Sequence, residues 1–183
     1  MKVLVYTARR WLVSSRRLFR MVGIDAVELT SPPLFTTTFP YTSLTDYDVV
    51  YFRLHGLPDQ PYLYGASFLR RWGQTALSLA DLKASGVSFQ LSPLRVFFEG
   101  CYAVQTGIPQ AFVELGAREV YAANTNTKNS PLRVGPAGRV GLAVMRAWMR
   151  NEDAGRALRV ALSDEASTRM RFMAVHRDER LVT

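Results

Sequence analysis

The sequence predicts an α/β protein, a three-layer α/β/α sandwich around a mostly parallel sheet. Three observations predict it. Short, almost uninterrupted apolar runs recur, among them Val49-Val50-Tyr51-Phe52 and Val96-Phe97-Phe98, as expected of strands covered on both faces. Stretches with apolar residues at helical spacing stand between them. The β-then-α order repeats, so the crossovers place helices on both faces of the sheet.

Lys2 to Thr7 is the first strand. Arg9 to Val22 is a helix, with Trp11, Leu12, Ser15, Leu18, Phe19 and Val22 at helical spacing and Gly23 as its stop. Ala26 to Thr30 is the second strand, and Ser31 to Leu44 a Pro/Thr-rich loop. Val49 to His55 is the third strand. Leu57 to Gly65, with Pro58, Pro61, Tyr62 and Tyr64, is an irregular loop beyond it. Ser67 to Ala84 is a helix closed by Gly86, and Val87 to Leu91 a short extension.

Leu94 to Phe98 is the fourth strand. Pro109 suits the first turn of a helix running to Leu115, with Gly116 as its stop. Glu119 to Ala123 is the fifth strand. Asn124 to Pro136 is a polar loop at the same end of the sheet as His55 and Cys101. Ala137 to Arg150 and Asp153 to Leu162 are helices, and Met170 to Val175 is the last strand. There is no solenoid repeat, low-complexity segment or linker, so 183 residues read as one domain, 1–183.

An apolar fraction of 48% and a charged fraction of 21% fit a soluble globular chain. No apolar run approaches the roughly 20 residues of a membrane span. The N-terminus enters a strand with no signal-peptide layout, which makes a cytoplasmic location the expectation. The single cysteine excludes an internal disulfide and a multi-cysteine metal site. The net charge of +8 comes from 20 Arg and only 3 Lys, scattered along helices. With no aromatic stacking motif, zinc spacing or basic arm, the sequence argues against nucleic acid as a partner.

Two strands end on chemistry. Arg95-Val96-Phe97-Phe98-Glu99-Gly100-Cys101 ends on the sole cysteine, and Asp48 to Gly56 ends on His55-Gly56. Parallel strands bring such ends to one sheet edge, where α/β proteins place their sites, and a thiol beside a base is the arrangement for nucleophilic catalysis. Each residue also has a plainer role: Cys101 as a small buried hydrophobe, His55 as a surface histidine. Gly100 lets the chain turn sharply. Glu99 is either a hydrogen-bond acceptor for the loops or a pocket carboxylate that selects a basic side chain. Arg9 and Arg10 point the other way, as holders of an acidic side chain, or form a solvated first turn. Asn124 is a further candidate substrate contact. Gly135 to Gly141 lacks both the P-loop and the dinucleotide-binding pattern.

An apolar strand ending in His-Gly, followed by one ending in acid-small-Cys, resembles the caspase-like cysteine peptidases: caspases, legumain, gingipain, clostripain, separase and CHAT domains. Glu99-Gly100-Cys101 looks like legumain's Glu-Ala-Cys, and His55 and Cys101 stand near the roughly 50-residue interval of caspases. Ala111 to Val120, and Val140 to Ala161 with its Ala157-Leu158-Arg159 run, are similar to bacterial CHAT domains. Tyr102-Ala103 departs from the small residues usual after the cysteine.

The resemblance implies a caspase-like fold and peptide-bond hydrolysis through a Cys101 thioester. It implies His55 as general base and acid, and the Gly56 and Cys101 N–H groups as oxyanion donors. It requires no metal or organic cofactor. Its partners are a protein or peptide substrate and a regulatory or recruiting protein, with no membrane. Two alternatives stay open. One is a silent interaction module whose pocket is blocked by Tyr102 or the Leu57–Gly65 loop. The other is an amidotransferase-like hydrolase using His176, which follows the last strand.

Overall fold

Alternation along the strands sets the layers. In this computed structural model, which describes residues 1–24, 26–30, 39–65, 74–127, 133–165 and 169–175, strands β1 (Val3–Thr7) and β3 (Val49–Arg53) are buried at every position. Between them in the chain run β2 (Ala26–Thr30) and, before it, helix α1 (Leu12–Val22), entered by a 3-10 turn at Arg9–Trp11. After β3 come β4 (Tyr62–Gly65), β5 (Gln74–Ser78), α2 (Leu79–Ala84), β6 (Arg95–Phe98), α3 (Ile108–Glu114) and β7 (Glu119–Ala123). The chain closes with α4 (Pro136–Arg150), α5 (Ala154–Asp164) and β8 (Phe172–Val175).

Successive strand side chains go to opposite faces. Leu4, Tyr6, Val50, Phe52, Phe98 and Ala122 join one core with Leu82 of α2 and Ile108 and Phe112 of α3. Val3, Val5, Val49, Tyr51, Phe97 and Ala123 join a second core with Leu18 and Phe19 of α1, Val140 and Val144 of α4 and Leu158 of α5. Two cores on opposite faces of one sheet make the three-layer α/β/α sandwich.

The main sheet has the order β2-β1-β3-β6-β7-β8. Its first five strands are parallel and β8 is antiparallel to β7. β8 runs backwards because two helices, α4 and α5, separate it from β7. A down-and-up helix pair returns the chain to the end of β7, where Phe172 faces Ala123. Across β3 and β6, Phe52 faces Phe98, and the Glu99 N–H continues the ladder onto the Phe52 carbonyl at 2.8 Å. One residue further on, Arg53 and Glu99 meet through their side chains at 2.9 Å, and His55 and Cys101 follow two residues after them in the chain.

Two expectations change. The helix expected over Ser67–Ala84 is helical only from Leu79 among its described residues, and Gln74–Ser78 is a strand. Ser78 marks the change, because its hydroxyl caps α2 by accepting the Asp81 N–H at 3.4 Å. That strand pairs antiparallel with Tyr62–Gly65, so the expected irregular loop over Leu57–Gly65 carries half of a hairpin. The short extension over Val87–Leu91 is irregular, with Phe89 buried and its N–H on the Leu115 carbonyl.

Six of the 20 arginines meet on one layer once the chain is folded. Arg16, Arg17 and Arg20 of α1 and Arg139, Arg146 and Arg150 of α4 are exposed, and neither helix contains a carboxylate. α1 and α4 pack together, with Arg146 Nη2 donating to the Met21 carbonyl at 3.3 Å. Six arginines therefore share one outer layer, two of them, Arg139 and Arg150, paired with Glu165 and Glu152. No helix among the described residues is long and apolar enough to cross a membrane.

Candidate active site

One row below the C-terminal rim of the sheet, three adjacent strands place polar residues in the interior. Thr7, Arg53 and Glu99 are all fully buried. Arg53 Nε donates to Glu99 Oε1 at 2.9 Å, and its Nη1 reaches the Ser14 and Ser15 hydroxyls at 2.6 and 3.2 Å. Tyr51 donates its hydroxyl to Glu99 Oε2 at 2.6 Å, and Thr7 pairs with Ser15 at 3.0 Å. Burial, and then the Glu99 charge, hold the Tyr51 phenol well above its ordinary range, so it stays a donor.

This corrects the expectation for Glu99. Its carboxylate is not exposed to a substrate; it is the buried partner of Arg53. Removing two charges from water costs several kcal/mol per ion, offset only when hydrogen bonds satisfy both. Here Tyr51 and the α1 serines supply such bonds. The sequence held a clue, because Arg53 and Glu99 stand two residues before His55 and Cys101 on strands of like pattern.

His55 lies two residues beyond Arg53 and is half-buried. Its backbone is clamped by the hairpin: its N–H donates to the Tyr64 carbonyl at 2.9 Å, and it accepts from the Tyr64 N–H at 2.7 Å. Its ring lies against Trp11, with centroids 4.0 Å apart. Nε2 is buried and has no hydrogen-bond partner among the described residues. Burial, followed by the Arg10 charge, lowers its pKa from 6.5 to about 4. The imidazole is therefore neutral at pH 7. Between pH 6.5 and about 4 the unfolded chain takes up this proton while the folded one does not, so acidification through that window weakens the fold.

Cys101 is half-buried. Its sulfur meets the loop after β7: Thr127 Oγ1 at 3.2 Å, the Thr127 N–H, which donates at 3.4 Å, and Asn126 Oδ1, which accepts from the thiol at 3.7 Å. That loop is pinned by the Tyr102 N–H on the Thr125 carbonyl at 3.2 Å. The sharp turn falls not at Gly100 but at Tyr102, whose φ of 54° is left-handed, a strained conformation for a bulky residue. Gly100 is small for another reason. A Cβ there would come within 3.1 Å of Leu63 Cδ2 and 3.3 Å of the Leu54 carbonyl.

Gly56 ties the two strand ends together. A Cβ on it would fall 1.7 Å from the Cys101 carbonyl oxygen and 3.1 Å from Leu63 Cδ2. The residue after the histidine thus lies against the backbone of the cysteine. Among the described residues, neither the Gly56 nor the Cys101 N–H is bonded to a backbone carbonyl, which leaves both as candidate oxyanion donors. Gly56→Ala should force the rim apart: we expect a loss of about 1–3 kcal/mol in thermal or urea unfolding, together with a changed rate of Cys101 alkylation. A variant of unchanged stability and labelling rate would contradict the close approach.

Arg9 and Arg10 are exposed at the rim just past β1, and the Arg10 guanidinium stands 6.0 Å from the Trp11 ring centroid. Asn124 continues the β7–β8 ladder, its N–H on the Arg171 carbonyl at 2.8 Å. The residues that touch the sulfur lie two and three positions further on, and nothing in the sequence singles out Asn126 or Thr127 within that polar loop. Trp11 was legible only as a helical apolar position. His176, and with it the amidotransferase-like alternative, lies outside the described residues. No group of three His, Cys, Asp or Glu side chains converges among the described residues.

No protein-family model matches the chain, and no curated protein does. Among solved structures it is similar to the X-ray structure of a secreted C11 cysteine protease from Bacteroides thetaiotaomicron in complex with an irreversible peptide inhibitor. The TM-score is 0.51 and the identity 13%, over 91% of this chain and 58% of that one. The chain thus spans less than two thirds of that protease's length. The likeness is one of fold, and with the two-sided parallel sheet it makes this chain a caspase-like α/β/α sandwich.

Proposed function

We propose that the protein is a cysteine endopeptidase in which Cys101 attacks the peptide carbonyl and His55 moves the proton. One observation supports this reading: β3 and β6 are adjacent and parallel, and beyond their ends Gly56, the residue after His55, packs on the Cys101 carbonyl. The neutral His55 enters as acceptor, so the thiol proton passes to it as the sulfur–carbon bond forms. The tetrahedral oxyanion takes the Gly56 and Cys101 N–H groups; losing one such donor commonly costs about 3 kcal/mol of transition-state stabilisation. The C–N bond then breaks, His55 returns the proton to the leaving amine, and water hydrolyses the thioester to free acid and thiol.

For specificity, the burial of Glu99 removes the basis for a basic preference. The exposed charges on the first turn after β1 are Arg9 and Arg10, which favours an acidic side chain next to the scissile bond. The test is a fluorogenic peptide library combined with a thiol-reactive peptide probe. We expect turnover of aspartate or glutamate peptides and probe mass on Cys101 by peptide mapping. A preference for arginine or lysine would refute the charge assignment. An enzyme with no turnover of any library member and no labelled Cys101 would refute the peptidase.

A second reading, a silent caspase-like interaction module, is favoured by the hydrogen bonds themselves. The sulfur is held by Asn126 and Thr127, and among the described residues His55 Nε2 has no hydrogen-bond partner. That reading expects a thiol whose labelling rate is indifferent to His55.

A further inference from the structure

A catalytic base is normally oriented by a third group, most often an acid hydrogen-bonded to its far nitrogen. No described residue does this for His55: its ring makes no side-chain hydrogen bond among them, and Nε2 is buried and unpartnered. Glu99, the carboxylate one row below, accepts from Arg53 and Tyr51. What touches the imidazole is the Trp11 indole, which is 3% exposed. We propose that Trp11 is the positioning residue of this site: its indole fixes the plane of the His55 ring and shuts water away from it.

Three features converge on the indole. Its ring is tilted 40° from the imidazole at 4.0 Å. The buried Arg53 guanidinium stands 5.7 Å from the same ring, and that of Arg10 stands 6.0 Å away. Among the described residues the Trp11 N–H, like His55 Nε2, is buried without a partner, so stacking rather than hydrogen bonding holds the pair. Among the described residues, the charged and titratable groups on the elements next to His55 are Arg10 on the turn before α1, Arg53 on β3, Glu99 and Cys101 just beyond β6, and Tyr62 and Tyr64 on β4. A protonated imidazole would be a third cation against one indole, with the carboxylate already accepting from Arg53 and Tyr51. The neutral form follows from this placement, in agreement with the lowered pKa.

The inference rests on the proposed role of His55, but its test needs no substrate. The full chain has two histidines and three tryptophans, so NMR titration resolves them. The His55 signal is the one lost in His55→Gln, and the Trp11 indole signal the one lost in Trp11→Phe. In the wild type, the Trp11 indole N–H should shift with the same midpoint as His55, near pH 4. Trp11→Phe, which keeps a ring, should hold that midpoint. Trp11→Leu should raise it by about one pH unit or more as water reaches the imidazole. An indole resonance indifferent to the His55 titration overturns the proposal even where Trp11→Leu fails to fold. So does a folded Trp11→Leu with the wild-type midpoint. If the titrations couple while peptides are not hydrolysed, the peptidase reading fails and the positioning role stands.

Discussion

Arg53→Met is expected to cost about 3–5 kcal/mol of stability, among the largest effects of any single substitution in this fold. The reason is the carboxylate left behind. Glu99 has no exposed surface. Without the guanidinium at 2.9 Å it keeps the Tyr51 hydroxyl but loses the Arg53 charge. Glu99→Leu should destabilise by a similar amount, since it leaves a buried guanidinium among Ser14 and Ser15. The double variant Arg53→Met/Glu99→Leu is the informative one. Replacing a buried pair by apolar residues of similar volume is often neutral or stabilising by about 1–4 kcal/mol, so it should recover most of either loss. Urea denaturation of the four proteins gives the coupling energy directly. Two additive single losses would show that the pair does not act as a unit.

Cys101→Ala should lower kcat/KM to background, a fall on the order of 10⁴-fold or more, by the precedent of removing a nucleophile from a catalytic unit. It should leave the unfolding midpoint close to wild type, because the sulfur makes only weak hydrogen bonds. His55→Ala should lose about 10²- to 10⁴-fold, the usual worth of a positioned acid–base group. The double variant should be no worse than Cys101→Ala alone, since a base without a nucleophile has nothing to deprotonate. Multiplicative losses would mean the two residues do not share a step. Full turnover in either single variant would move the chemistry elsewhere.

The sandwich was legible because its causes are local. Apolar strands buried on both faces read as continuous runs, and the stops at Gly23 and Gly116 follow from a left-handed backbone at each. The hairpin of β4 and β5 was not legible. Its strands are four and five residues long, too short for alternation to stand out beside Pro58 and Pro61. At the rim, His55, Gly56 and Cys101 could be proposed from their strand ends. Glu99 could not be placed correctly, because its burial depends on a partner on another strand and on serines from α1. Trp11, Asn126 and Thr127 reach the site by tertiary packing, which leaves no mark in sequence spacing. The arginine-rich layer is of the same kind: residues far apart along the chain share a side only after α1 meets α4.

Cys101 also holds the loop that follows β7. Its sulfur is the acceptor for the Thr127 amide and a partner for two side chains of that loop. Any adduct on the sulfur, whether an alkyl group, an oxide or an acyl chain, trades that acceptor for a bulkier and differently charged neighbour. Chemistry at one atom is thereby felt at Asn126 and Thr127, and protease digestion of capped against uncapped protein would reveal it as a change in nicking beside them.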